Sequence, residues 1–464
     1  MVNKSQGEQT AGQSRGPDEQ FGSETWSPWL VRELDVASGF PELAASGLDG
    51  MRAQGAWILI RAFDEPLGAL WMPFERASIT AAAIRDALPS NVATQIRIRL
   101  EDAGITWTGR VPLEGCTPRR RPTFLASRDV LLQEGPEVTA VVCTRNRPDE
   151  LRRCIASLQA QSYPRLSLLV LDNGSDSDAT RDVARLSTGP YAVSYVFEPE
   201  PGLSNARNRS VKETKSEIIA WIDDDETADP HWVCELVRGF AETPAAGSVC
   251  GVMVPAELET PAQVWFEEYG GHSKGRGFRP AVFSPATAHS QSPLLPLPPF
   301  GTGGNMAMRR SALECIGRFD PALGAGTATM GAEDTRALTD LLLAGGTVRY
   351  QPSALTHHFH RREYAAFERQ MYGYGVGLTA YYMSLVLDRP SLLVPLAKLA
   401  PRALRDLRDP NGIRLGEIGP NFPAAVLRVH RRGLLIGPAV YVGARYRARR
   451  RSRSSRRRSS YQFG

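Results

Sequence analysis

Four consecutive acids, Asp223, Asp224, Asp225 and Glu226, follow directly on the apolar run that begins at Ile218. Side-by-side carboxylates repel one another and gain nothing from a core, so the cluster calls for positive charge. Alternate carboxylates on a tight loop can bind one hard divalent cation and leave positions open for phosphate oxygens. A cation held this way offsets the charge of a departing diphosphate. The plain alternative is a solvated acidic turn capping the helix that starts near Pro230. Short acidic motifs match by accident often enough that a lone DxD favours that alternative. A second acidic cluster, SDSD at 175–178, reads as a helix cap with Ser177 or Asp178 at the cap position.

Other residues could join this chemistry. Asp172 ends the run LLVLD and could accept from the base or ribose of a nucleotide, or simply form an Asx turn with Asn173 and Gly174. In GAED, Glu333 and Asp334 fall in the first turn of a helix, where the helix dipole favours an ionised carboxylate. Such a carboxylate facing a cleft can take a proton from an attacking hydroxyl. In THHFHRR, His357, His358 and His360 sit within four positions of one another, and imidazole suits Mn and similar ions. GTGGNM at 301–306 is glycine-rich but is not GxGxxG, and no GxxxxGK[ST] occurs, which argues against a P-loop or a dinucleotide fold. Close backbone approach to a ligand, or a tight turn, is the use left for those glycines.

The elements that must position these residues alternate. VTAVVCT, LSLLVLD, AVSYVFE and EIIAWID read as strands, with helices expected between them. Pro148 suits a first helical position, with Asp149 and Glu150 in the first turn. Alternating strands and helices predict a largely parallel sheet covered on both faces, whose ligands bind beyond the carboxyl ends of the strands. Asp172 and Asp223 both fall at such ends. The whole chain has 464 residues and 42% hydrophobic residues, enough for two or three domains. Residues 1–25 are polar and expected to be disordered. Residues 26–132 read as a small α+β accessory domain with two strands around a turn and one or two helices, and 116–129 as a linker. The catalytic pattern occupies 137–377, a helical extension 378–443, and a basic disordered tail 444–464.

The net charge of +5 belongs to that tail: nine arginines lie between Arg445 and Arg458, and without them the remainder is near −4. Only five of the 55 basic residues are lysine, a bias that suits a GC-rich bacterial genome. Six dispersed cysteines form no CxxC pair and argue against structural zinc or a disulfide framework. No long apolar run and no secretory leader is evident, so a cytoplasmic location is expected.

Taken in order, VVCTRNRP, VLDNGS, PGLSNARNRS, IDDDE, GTGGNMAMRR, GAEDTRALTD and THHFHRR resemble the family 2 glycosyltransferases, over roughly Glu137 to Gly377. The resemblance implies the GT-A nucleotide-diphospho-sugar transferase fold. It also implies roles. Thr144, Arg145 and Asn146 match the loop lining the nucleotide site, and Asp172 the acid that contacts base or ribose. Asp223 and Asp225 match the DxD pair that meets ribose and metal, with Asp225 the surer metal ligand. Asp224 lies between them on the nucleotide-sugar side or shapes the turn. Gly303, Gly304 and Asn305 match the loop beside donor sugar and acceptor. Asp334 matches the general base and Glu333 its neighbour, while His358 resembles the metal-binding histidine of some members. The implied reaction is inverting transfer from a nucleoside-diphosphate sugar to a hydroxyl acceptor, lipid-linked, glycan or small molecule, aided by Mn²⁺ or Mg²⁺. The family's polymerising members carry membrane spans and a QxxRW-type motif. Both are missing, and ERQMYGYG at 368–375 is only a distant echo, so non-processive transfer is implied.

Two other functions remain open on sequence alone: a binding protein that holds a sugar nucleotide or glycan without turnover, and a sugar nucleotidyltransferase, which would release pyrophosphate. The segment RRGLLIGPAVYVGARYRARRR joins an apolar patch to the basic tail and suits peripheral contact with an anionic membrane, as does a plain solubilising tail. No aromatics alternate with the arginines, which argues against nucleic acid.

Overall fold

The computed structural model describes residues 26–46, 52–285, 300–398, 401, 418–419 and 421–460. The expected disorder of 1–25 lies outside the described residues. The N-terminal unit has a three-stranded sheet, ordered β1 (Trp29–Asp35), β3 (Gly55–Ala62), β4 (Glu65–Pro73). A small pair, β2 (Leu43–Ala44) and β5 (Ser78–Ile79), and helices α1 (Ala81–Asp86) and α2 (Ser90–Asp102) complete it. The β3–β4 turn places Phe63 and Asp64 at positive φ. Asp35 secures it by accepting from both of their amides. Every residue of β3 is buried. Ile58 and Ile60 face the unit's own core, whereas Trp57 and Leu59 pack with Val252, Val254, Leu258 and Leu355 of the following domain. Burial on both faces is why this strand reads as an unbroken apolar run rather than an alternating one.

The expected linker at 116–129 is in part helix α3 (Thr123–Glu134). Its Arg128 is buried and bonded to Glu235 at 3.1 Å, so the segment is packed against the following domain.

The following domain is built, among the described residues, on a nine-stranded mixed sheet. Its strands are β6 (Val138–Thr144), β7 (Leu166–Asp172), β8 (Val193–Phe197), β9 (Ile218–Asp223), β10 (Glu226–Ala228), β11 (Ala246–Pro255), β12 (Ala281–Phe283), β13 (Asn305–Arg309) and β14 (Thr347–His358). The order is β10-β14-β11-β13-β9-β6-β7-β8, with β12 also on β14. β8, β7, β6 and β9 run parallel, β11 is parallel to β14, and β13 runs antiparallel between β9 and β11. Helices α4 (Pro148–Gln159), α5 (Ala179–Leu186) and α7 (Trp232–Glu242) cover one face, and α6 (Leu203–Glu213), α9 (Arg310–Ile316) and α10 (Glu333–Leu343) the other. Strand alternation sends Val138, Ala140 and Val142 to the first core and Val141 to the second. This is the expected sheet flanked by helices, mixed because β10, β12 and β13 run antiparallel to their neighbours.

Helix α8 (Pro261–Glu268) and two long helices, α11 (Tyr364–Asp388) and α12 (Ala424–Ser460), close one side. The boundary expected at 377/378 falls inside α11, which is continuous. Glycines let α11 and α12 approach closely: a Cβ on Gly375 would lie 2.2 Å from the His430 carbonyl oxygen, and one on Gly433 2.4 Å from that of Tyr372. The tail expected to be disordered from 444 continues α12 to Ser460. Arginine is a good helix former, and Arg445 is tied to Asp388 at 2.6 Å and to the Tyr441 hydroxyl at 3.1 Å. No helix of the described residues is long and apolar enough to cross a membrane.

Candidate active site

The carboxyl ends of β6, β9 and β14 meet at the acidic loop. Asp223 ends β9 with its side chain partly exposed. Asp224 turns inward, accepting from the Thr144 hydroxyl at 2.7 Å and from Arg147 at 2.8 Å. Asp225 is buried and faces three cationic or ligating groups: Arg147 at 3.0 Å, Arg361 at 3.0 Å and Nε2 of His358 at 3.4 Å. Burial and the neighbouring Asp225 charge push the Asp224 carboxyl up to about 6. Burial acts the same way on Asp225, but a protonated His358, together with Arg361 and Arg147, outweighs it and holds that carboxyl far below the usual range. Glu226 is buried with neither carboxyl oxygen hydrogen-bonded, and burial beside Asp223 pushes it well up.

Across the cleft, the loop at 301–304 meets the N-terminus of α10. Asp334 accepts from the amide of Gly303 at 2.6 Å and from its neighbour Thr335 at 2.6 Å. Glu333 points into the protein and takes the buried Arg207 guanidinium at 2.7 Å. Arg207 also donates to the Gly303 carbonyl at 3.0 Å, so it is a strut between the loop and the helix. Burial pushes Glu333 up to about 7 despite that partner. Both glycines are demanded by close approach. A Cβ on Gly303 would come 2.6 Å from Arg207, and one on Gly304 2.3 Å from Glu226 and 2.6 Å from Asp223.

A cavity of about 490 Å³ joins these groups. Asp223, Asp225, Gly303, Gly304, Glu333, Asp334 and His358 line it. Its far wall is helical, with Tyr374, Leu378 and Tyr381 of α11 and His430 of α12. Asp225 and His358 offer oxygen and nitrogen to a divalent cation, and Asp223 adds a second carboxylate beside them.

Other expected site residues stand apart from this cavity. Arg145 and Asn146 are exposed, and Asn146 donates to Asp176 at 2.7 Å. Thr144 serves Asp224. Asp172 is buried, accepting from the Ser175 amide at 2.9 Å and the Tyr195 hydroxyl at 2.9 Å. Asn305 also lies away from the cavity, unlike its neighbours Gly303 and Gly304. It is fully buried, its amide donating to the carbonyls of Val252 and Ala354 and its oxygen accepting from Trp232 at 2.9 Å. Bonds to three neighbouring elements lock β13 in the sheet and leave the amide turned away from the cleft. In SDSD, Asp178 does occupy the cap position but makes no capping hydrogen bond, and it pairs with Arg181 instead.

Sequence reasoning passed over Arg147, Arg207, Arg361 and His272. Arg207 carried a signal: it lies four residues after Leu203 and one after Ala206, on the buried face of α6. A buried arginine requires a carboxylate. Nothing local marks Arg147 or Arg361 as partners of one aspartate.

Residues 139–317 match the model of the family described as glycosyl transferase family 2. The succinoglycan biosynthesis protein ExoM of Rhizobium meliloti is 32% identical over 223 residues, which are 47% of this chain and 64% of that protein. The pre-mycofactocin glycosyltransferase of Mycobacterium tuberculosis is 25% identical over 269 residues, 58% of this chain and 50% of that one. The matches thus span about half to just under two-thirds of these relatives' lengths. The mannosyltransferase PcManGT from Pyrobaculum calidifontis, solved in complex with GDP-Man and Mn²⁺, aligns over 69% of this chain and 92% of its own. With a TM-score of 0.41 and 17% identity, that likeness is too low to argue from.

Proposed function

We propose that this chain, which carries a family 2 glycosyltransferase domain, transfers a sugar from a nucleoside-diphosphate donor to a hydroxyl acceptor with inversion. The observation that supports this most is the convergence of Asp223, Asp225, His358 and Asp334 on one cavity. Asp225, His358 and Asp223 would hold Mn²⁺ or Mg²⁺, whose bound charge offsets that of the leaving diphosphate. Arg147 and Arg361 keep Asp225 ionised for that purpose. Gly303 and Gly304 bring bare backbone to the donor sugar. Asp334, held by two backbone amides, takes the proton of the acceptor hydroxyl as that oxygen attacks the anomeric carbon. Attack from the side opposite the leaving group inverts the centre. Arg207, through Gly303 and Glu333, sets the separation of loop and base. Thr144, Arg145, Asn146 and Asp172 flank the strand ends where the nucleotide would lie. The match to a succinoglycan biosynthesis protein favours a glycan or lipid-linked acceptor.

The test is a panel of sugar nucleotides with Mn²⁺, following release of nucleoside diphosphate and the anomeric configuration of product. Loss of release in Asp334→Asn with donor binding kept supports the proposal. Release of pyrophosphate, or donor binding without turnover on any acceptor extract, would sink it.

Peripheral contact with an anionic membrane at the inner face of the cell is part of the proposal. On α12, Leu435, Val442 and Tyr446 are exposed among arginines. Sedimentation with phosphatidylglycerol vesicles should fall on raising salt and in Leu435→Glu. Equal sedimentation of that variant and of a chain ending at 451 would refute the contact.

A further inference from the structure

A chain of side chains runs behind His358. Glu267, near the end of α8, lies 2.8 Å from Nε2 of His360. Nδ1 of His360 lies 2.8 Å from Nδ1 of His358. Nε2 of His358 faces Oδ1 of Asp225 at 3.4 Å. Phe266 packs edge-on against the His360 ring, with centroids 4.7 Å apart. Gly271 covers Glu267 so closely that a Cβ there would come 2.1 Å from its Oε1. The assembly is therefore enclosed: His358 and His360 are both buried.

For two neutral rings beside an ionised carboxylate, hydrogen-bond logic places the protons. An ionised carboxylate only accepts, so Nε2 of His360 carries a hydrogen. A neutral imidazole has one N–H, which makes Nδ1 of His360 an acceptor. The 2.8 Å contact then needs a hydrogen on Nδ1 of His358. What is left on His358 is a lone pair at Nε2, aimed at a carboxylate oxygen. Two acceptors facing each other repel, unless a cation sits between them. Nitrogen and oxygen ligands about 2.1 Å from one metal stand roughly 3 to 3.5 Å apart, the spacing found here.

We propose that Glu267 and His360 are positioning residues that fix the tautomer of His358 and present its Nε2 as a cation ligand opposite Asp225. This rests on the cation-dependent transfer proposed above. Carboxylate-backed histidines behave this way at metal centres, where the backing group sets ring orientation and raises ligand basicity. A rival arrangement exists in the same place. His272 has a buried Nε2 without a hydrogen-bond partner, and His272, His358 and His360 offer ligand atoms within 4.8 Å of one another. A separate three-nitrogen site would have to draw on the same two rings. The 2.8 Å hydrogen bond between them favours the relay instead.

The experiment is a titration of the full chain with Mn²⁺ alone, read by electron paramagnetic resonance for affinity and for nitrogen coupling. Wild type should bind Mn²⁺ with one histidine nitrogen coupled. His360→Ala should weaken binding about 10- to 100-fold and lose the coupling. His360→Gln, whose amide oxygen can still accept from Nδ1 of His358, should restore most of both. A residue that merely filled space would not show that rescue paired with the returned coupling. Glu267→Ala should follow His360→Ala in direction. Unchanged affinity and coupling in His360→Ala would overturn the relay, while a loss of binding in Asp225→Ala would leave the transfer proposal standing. Several coupled nitrogens that persist in Asp225→Ala would overturn the relay in favour of the three-histidine site. Failure of the wild-type chain to bind Mn²⁺ would overturn the cation-dependent reading and the relay with it.

Discussion

One end of the cleft is made of strand termini and the other of helix surfaces, and the two ends hold their residues differently. At the strand end, Asp224, Asp225, Arg147 and Arg361 form ion pairs around a loop whose entry and exit are fixed by β9 and β10. Each charge there has a defined partner. At the helical end, Tyr374, Leu378 and Tyr381 present rings and methyls from α11, held in place because Gly375 and Gly433 allow α12 to lie against it. Charge-paired strand ends suit a donor whose diphosphate is the same for every sugar. A helical wall shaped by packing suits an acceptor, whose identity varies.

Variants can break this division or sharpen it. The largest effect is expected at Asp334, which sits between the two ends. Asp334→Asn should lower transfer by about 10²- to 10⁴-fold, measured as nucleoside diphosphate released, with donor affinity by calorimetry nearly unchanged. A parallel loss of donor affinity would place Asp334 with the donor end. Next is the helical wall. In Gly433→Leu the first added carbon would meet the Tyr372 carbonyl at 2.4 Å, so a loss of about 1–3 kcal/mol is expected in chemical unfolding. Acceptor-dependent transfer should fall while donor hydrolysis continues. Equal loss of both would show that the two ends are one mechanical unit. The smallest effect concerns Glu226. Its carboxyl is pushed well above its unfolded value of 4.5 by burial beside Asp223, so the protonated form is the one the fold favours. That contribution is fully present below about pH 4.5 and is lost as pH rises toward the folded value. Glu226→Gln should therefore gain stability relative to wild type as melting is repeated from pH 5 to pH 8. A difference between the two that stays constant across that range would contradict the assignment.

The strand end was largely legible from the sequence and the helical end was not, for a physical reason. Strand termini are announced locally, by an apolar run that stops at a polar residue, and the acids at 172 and 223 follow such runs. The pairing of Arg147 and Arg361 on Asp225 joins positions at least 78 residues apart, and no local pattern carries it. Asn305 misled because its motif neighbours Gly303 and Gly304 do line the cavity, while one residue further the chain has entered β13 and the side chain faces the core. The α11–α12 crossing depends on glycines whose partners lie near position 433 as seen from 375, so their spacing means nothing along either helix alone. The charge of the arginine run alone suggests a disordered tail, whereas the helix continues to Ser460. Helix propensity and the Asp388 contact with Arg445 decide otherwise.

The two-sided burial of β3 has a bearing on how the small N-terminal unit should be regarded. Its Trp57 and Leu59 close over Val252, Val254 and Leu355. Its Glu33 reaches His357, the residue next to His358, and its Arg61 is bonded to Asp229 at 2.8 Å. Without this unit the nine-stranded sheet would show water a raw apolar flank, a surface adhesive toward other copies of itself. The unit is thus less an appendage than a sealing panel: it covers that apolar flank and contacts the strand on which His358 is carried.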